Sequence, residues 1–351
     1  MTFEAQRRQL LSPTWLRLFV VTTIFSLGLV SSGCITSRVA LPRELPVQPA
    51  VPTSELVSRI TTLQQITQLK SSVGLQFADY KESDQGKGKI YPTADGKLVL
   101  QRPQRIRLAV DATLVGKIAD MGSDGEQFTV AVFYPTDKRS FIRGTNLRKY
   151  TQQVNQLNSS TNTKDISTFS KLRPQHLALP MLVPALPEAS PDTSFFVVES
   201  RQDEAEVISR DGQMSLEVPA KRVMRTYYVL YVSHRSADGQ WVPIYSYWFD
   251  RTRKGTPLVR LQIYEEDGTL STQSEYEGYT DKSGRPQLLP QTVKISRPHD
   301  GYAVRITFRE PEINSDPLSA DVFMLQNDEN LQVLDLDTEP NSAIRAKASE
   351  N

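Results

Sequence analysis

Cysteine is almost missing from this chain. Its 351 residues include one, Cys34. No disulfide can form within it, and a redox thiol would want a second Cys or a thiolate-stabilising neighbour. Histidine is nearly as scarce: His176, His234 and His299 are widely spaced and fit no metal-ligand pattern. There is no G-x-S-x-G, no phosphate loop and no H-E-x-x-H. Glu265-Glu266-Asp267 and the Glu310, Glu312 pair bring carboxylates together, but at a turn such groups are ordinarily solvated. The expectation is a non-enzymatic protein without a metal. An excess of one charge is also lacking, with 41 basic against 40 acidic side chains, so nucleic acid is not an expected partner. Beyond residue 34 no apolar run reaches the roughly 20 residues of a membrane span.

What is present begins at the N-terminus. Arg7, Arg8 and Arg17 precede a mostly apolar run from Leu18 to Val30, softened by Thr22, Thr23, Ser26 and Gly28. Ser31-Ser32-Gly33-Cys34 follows. A basic start, a short apolar centre and small residues before a cleavage point make a secretory signal. With its Cys at that point, the segment resembles the lipobox of bacterial lipoproteins. The resemblance implies cleavage before Cys34, a diacylglycerol on its thiol and an acyl chain on its amine. These covalent lipids are the only expected prosthetic groups. A plain secretory signal or an uncleaved anchor with a chance Cys is the other reading. Ile35 is not Asp, which under the enterobacterial sorting rule implies the outer membrane, facing the periplasm, with inner-membrane anchoring the alternative.

The chain then divides by composition. After the signal, 1–33, comes a segment, 34–52, carrying Pro42, Pro46, Pro49 and Pro52. Such proline density favours an extended tether, on the order of 50 Å long, or an arm lying on the domain surface. Leu56, Ile60, Leu63, Ile66, Leu69 and Val73 recur at three- and four-residue spacing, which predicts one long amphipathic helix. The period then falls to two. Ile106, Leu108 and Val110; Phe128, Val130 and Val132; Val259, Leu261 and Ile263; and Val304, Ile306 and Phe308 each alternate with wetter residues. That is antiparallel sheet with one apolar face. Asp-Gly at 95–96, 124–125, 211–212, 238–239, 267–268 and 300–301 predicts tight hairpin turns. The rhythm breaks over 143–191, read as an insertion with short helices. Strands resume at 194–199, 223–233 and 241–250. Residues 326–351 turn acidic and read as a largely disordered tail, within which Leu331, Val333, Leu334 and Leu336 offer a docking segment.

The order helix, strands, helical insertion, strands resembles the LolA/LolB-like superfamily of periplasmic lipoprotein carriers and receptors. Three stretches carry the likeness: Leu100-Gln101-Arg102-Pro103 leading into Arg105-Ile106-Arg107, then Ser123-Asp124-Gly125 through Phe133-Tyr134-Pro135, and 318–323 ending on Phe323. The resemblance covers 53–325. It implies an α+β, mainly β fold, a strongly curved antiparallel incomplete barrel with helices covering its concave face. It also implies that Arg102 latches the helical lid by hydrogen bonds; a strand-edge arginine with its head in water is the alternative. The receptors touch the membrane with an exposed apolar loop, which no stretch of sequence identifies here.

The expected function is a membrane-anchored envelope protein that binds lipid or lipoprotein acyl chains in an apolar cavity. Candidate lining residues are Ile106, Leu108, Val110, Val130, Val259, Leu261, Ile263, Val304 and Ile306. The same residues would equally fill a solid core. The alternative function is a scaffold or sensor that holds a protein partner on its curved sheet and insertion. The aromatics of 227–231 and 241–249 suit acyl chains or cross-strand packing.

Overall fold

In the computed structural model, residues 41–80, 88–146, 172–205, 222–279, 288–315 and 318–338 are described. Leu56, Ile60 and Leu63 are the buried stripe of a helix, α1 (Thr53–Gln64), which Pro52 precedes and Glu55 opens with an acidic first turn. Arg59 pairs with Glu55 one turn away. The helix is shorter than its apolar spacing predicts. Ile66 lies in the following turn, and Leu69 and Val73 belong to a strand, β2 (Gln68–Asp79). A four-residue interval satisfies both periods, and Ser71-Ser72-Val73-Gly74 has little helix propensity. Asn314 fixes the turn: its Oδ1 accepts from the Thr67 and Gln68 amides at 2.8 and 3.2 Å, and its Nδ2 donates to Gln65 O at 2.7 Å.

The other strands before the insertion are β3 (Lys89–Ile90), β4 (Ala94–Gln101), β5 (Arg105–Ala112), β6 (Gly116–Ser123), β7 (Gln127–Val132) and β8 (Ser140–Thr145). After it come β9 (Thr193–Ala205), β10 (Arg222–Arg235), β11 (Trp241–Asp250), β12 (Leu258–Tyr264), β13 (Leu270–Glu277), β14 (Thr292–Arg297) and β15 (Tyr302–Ile313). A short β1 (Arg43–Glu44) and β16 (Val333–Asp335) complete the sheet. The order across it is β9-β10-β11-β12-β13-β14-β15-β2-β4-β5-β6-β7-β8-β16, antiparallel up to β8. The short strands β1 and β16 join parallel, on β10 and β8.

The thirteen antiparallel strands from β9 to β8, at about 4.8 Å spacing, would make a flat sheet about 60 Å wide. Yet one face of these strands, α1 and a second helix, α2 (Pro174–Leu182), form a single apolar cluster. The helices are only about 18 and 14 Å long. The sheet is therefore curled round them, an open barrel that is mainly β, with two helices among the described residues on its concave side. Among the described residues, β9 and β16 are its unpaired rims.

Four Asp-Gly pairs sit in hairpin turns, with Gly125, Gly239, Gly268 and Gly301 at positive φ. The pair at 211–212 lies outside the described residues. Asp95-Gly96 is a correction: it falls inside β4. A Cβ on Gly96 would meet Ala109 O at 2.8 Å, so glycine here serves close strand approach rather than a turn.

The proline-rich segment is not a free tether from Pro42 onward. Arg43 and Glu44 pair with Val223 and Met224, Glu44 is bound by Arg201 at 2.6 Å, and the Gln48 amide donates to Arg251 O at 2.7 Å. Proline blocks helix but leaves alternate amides free to join an edge. Within the acidic tail, Leu331 and Leu336 are buried and β16 pairs with β8. Phe323, fully buried, lies on the convex side of β5 and β6, where a Cβ on Gly122 would stand 2.4 Å from its carbonyl oxygen.

Candidate functional site

The site lies where both helices end over the concave face. Arg102 follows β4 and turns its side chain toward them. Its Nε donates to Ile66 O at 2.9 Å and its Nη2 to Leu63 O at 3.2 Å, at the end of α1. The same guanidinium donates to Leu182 O and, at 3.4 Å, to Val183 O, at the end of α2. The last carbonyls of a helix have no intrahelical donors and carry the negative end of its dipole. One cation serves two such ends. Burial pushes the Arg102 pKa down from its ordinary value, but an arginine remains charged.

Helix α2 begins on Pro174, where the missing N–H costs nothing. It buries Leu177, Ala178, Met181 and Leu182 against the sheet. Its end is unusual. Val183 has φ +47°, a conformation that β-branched residues avoid. Pro184 has no N–H to give to the carbonyl four residues earlier, that of Pro180. Tyr276, on the concave face of β13, donates to Pro180 O instead, at 2.7 Å. Tyr247, on β11, donates to Pro184 O at 3.0 Å. Gln64 Nε2 donates to Val183 O at 2.8 Å. Within five residues of chain, four carbonyls are held by side chains from the sheet and from α1.

Burial pushes the hydroxyl pKa of both tyrosines far above its usual range; the neighbouring Tyr245 adds to this for Tyr247, and Tyr279 and Tyr247 do so for Tyr276. On the N-terminal half of α2, His176 Nδ1 lies 3.3 Å from Tyr302 Oη. Its burial, and the positive charges of Arg297 and Arg173, hold it well below the ordinary imidazole value.

Ile106, Leu108, Val110, Val130, Leu261, Val304 and Ile306 all lie on the concave face and are buried, and Ile263 packs beside them. Val259 is a correction. It packs on the opposite face with Tyr227, Val229 and Trp248. A bulge between Trp248 and Phe249 pairs them with Arg260 and Leu258, leaving Val259 unmatched and placing Leu258 in the core. The aromatics divide in the same way: Tyr245, Tyr247 and Phe249 face inward, while Tyr227 and Trp248 stack edge-on outside, with the Arg260 guanidinium 4.9 Å from the Trp248 ring.

A gap beneath the helix ends, among Leu63, Ile66, Met181, Leu182, Tyr276 and Leu289, has a volume of about 10 Å³, the room of a single water. The side chains of the helices occupy the concave space. At the tip of the β5–β6 hairpin, Leu114 is 97% exposed beside Val115 at 44%. Cys34 lies outside the described residues. Among the described residues no group of three His, Cys, Asp or Glu is placed to hold a metal ion, and no helix is long and apolar enough to cross a membrane.

The sequence carried Arg102 through its Arg-Pro motif, but not Tyr247, Tyr276 or Gln64. A usable signal for the tyrosines existed: Pro180 and Pro184, four apart, leave a helical carbonyl that some other group must satisfy.

The chain matches no family model and no curated protein. It is similar to a solved LolA superfamily protein from Nitrosomonas europaea, 12% identical over 79% of this chain and 99% of that one, with a TM-score of 0.38. A DUF1329 family protein from Desulfovibrio piger is 12% identical over 79% and 97% of the two chains, TM-score 0.38. A putative outer membrane lipoprotein-sorting protein domain from Vibrio parahaemolyticus is 11% identical over 76% and 94%, TM-score 0.39.

Proposed function

We propose that this chain is a lipid-anchored protein of the bacterial envelope that takes acyl chains of a lipid or lipoprotein between its concave sheet and its two helices. The described form is then the closed one. The observation that carries this reading is Arg102, a single guanidinium bound to the ends of both helices that cover an apolar face. Helix-end carbonyls need donors in any fold; what suits a removable cover is that one side chain serves both helices, so that its withdrawal frees the two together. Opening would exchange the side chains of α2 for acyl chain, CH₂ for CH₂. Each buried CH₂ is worth about 0.8 kcal/mol, so chain length would matter more than headgroup.

The anchor in this reading is the acylated Cys34, at the outer membrane on its periplasmic side. Leu114 and Val115 suit the membrane-touching loop of the receptors that the sequence resembles, because a fully exposed Leu at a hairpin tip has little else to bury against. The role is binding and transfer, without catalysis. Full-length protein extracted in mild detergent should carry lipid by native mass spectrometry and should bind a fluorescent fatty-acid probe. Folded protein that does neither would overturn the reading.

A second reading is favoured by the small size, about 10 Å³, of the gap beneath the helix ends: a scaffold that holds a protein partner on its curved sheet and on the 143–191 segment. Cross-linking in intact envelopes distinguishes the two. A stoichiometric partner that survives delipidation, with no lipid bound, would select the scaffold.

A further inference from the structure

Two phenol hydroxyls of the concave apolar cluster donate to carbonyls at the end of the lid helix, while a third, that of Tyr302, meets His176 near its start. Tyr276 Oη binds Pro180 O and Tyr247 Oη binds Pro184 O. Tyr247 is 0% and Tyr276 2% exposed. An unsatisfied buried hydroxyl is costly, so once α2 moves away each tyrosine needs a new acceptor. Leu261, Leu289 and Val293 are among the apolar residues of the same cluster. Water can serve in the open form, but a ligand that fills the place of α2 and excludes water must bring acceptors of its own.

We infer that Tyr247 and Tyr276 form, with Arg102, a carbonyl-binding end of the acyl site, and that its ligand is an acyl ester or amide rather than a bare hydrocarbon chain. In the closed form the backbone carbonyls of Pro180, Leu182, Val183 and Pro184 stand where the ligand's carbonyls go. The inference rests on the acyl-binding reading and adds to it the chemical class of the polar group and the residues that read it.

Three features of the structure support the exchange. The donors are gathered: their acceptors lie within five consecutive residues. The donors stay protonated, since burial raises both phenols far beyond neutral pH. The packing gap of about 10 Å³ lies at this end, against Tyr276, Leu182 and Val183, and Val183 is held at a positive φ that its release would relieve. The gap thus lies beside the carbonyls that the sheet's side chains hold. Tyr279 provides the contrast. Its hydroxyl donates to Leu258 O, at 2.7 Å, within the sheet system and not to the lid.

The test compares two lipids that differ only in the carbonyls. Full-length protein in dodecyl maltoside is titrated with dioctanoylglycerol and with its di-octyl ether analogue. The wild type should prefer the ester about three- to tenfold for each carbonyl bound. Tyr276→Phe and Tyr247→Phe should each bring that ratio toward one. Each should bind the ether as well as or better than wild type, because a lid bond is also lost. Tyr279→Phe should leave the ratio unchanged. A variant that merely unfolds would lose both lipids together, and the wild-type ratio then decides. Equal binding of ester and ether by wild type, or a preference that persists in both variants, would overturn the inference while leaving acyl binding standing. Failure of wild type to bind either lipid would overturn acyl binding itself, and this inference with it.

Discussion

Gln64 Nε2 lies 2.8 Å from the carbonyl oxygen of Val183, 119 residues further along the chain. The contact joins the last residue of one covering helix to the first residue beyond the other. The two helices are thereby fastened to each other as well as to the sheet, and they are expected to move as one cover.

Arg102→Leu tests the fastening. Its guanidinium serves carbonyls of both helices, and hydrogen bonds to a charged group are worth about 1.5–3 kcal/mol. Hydrogen exchange across 174–184 should accelerate at least tenfold, with exchange in β14 and β15 unchanged and global melting still cooperative. Unaltered exchange in the helix would reduce Arg102 to a surface residue.

Gly122→Ala tests the convex-side clasp. The added Cβ would meet the Phe323 carbonyl oxygen at 2.4 Å, a backbone atom that a side-chain rotation cannot clear. Overpacking of this kind costs about 1–3 kcal/mol. The melting temperature should fall, and 318–325 should become protease-sensitive before the sheet does. An unchanged melt and digestion pattern would mean that the segment shifts freely.

These two sites differ in how visible they were. Alternation at Ile106, Leu108 and Val110 fixes a face whatever the neighbours are, because the strand period is two. Arg102 was marked by the proline after it. Gly122 carries no mark, since its partner Phe323 lies two hundred residues away. Leu69 and Val73 misled because a spacing of four fits a helix and a strand alike. Val259 misled because one unmatched residue inverts every side chain on one side of it. The prolines of 42–52 suggested a tether, but a proline-rich chain can lie on a sheet as readily as in water, as Arg43, Glu44 and Gln48 do.

His176 gives a pH dependence whose sign is fixed. Burial and the charges of Arg297 and Arg173 depress its folded-state pKa, so the unfolded state takes up a proton first. The corresponding stability is present above the unfolded value of about 6.5 and is lost as pH falls through and below it. The limit is about 1.4 kcal/mol per pH unit. Chemical denaturation at pH 7 and pH 5 should show a larger loss for wild type than for His176→Gln. Equal losses would place the acid sensitivity elsewhere.

Cys34→Ala tests the anchor. Wild type should incorporate an alkyne palmitate and fractionate with outer membranes. The variant should lose the label and run larger, since processing needs the thiol adduct. As the chain has one cysteine, label that persists in the variant would sink the lipoprotein assignment. Label that disappears, with wild type in inner membranes, would move only the address.

The sheet's two rims, β9 and β16, unpaired among the described residues, bear on capacity. In a closed barrel the circumference is set by strand number and shear, and widening it means breaking a ladder. Here β9 and β16 are not joined to each other. The two rims can spread or approach by small changes of twist summed over fourteen strands, with every interstrand hydrogen bond kept. A container of this shape has an adjustable girth; if it takes acyl chains as proposed, it needs no fixed cavity to accept chains of differing bulk.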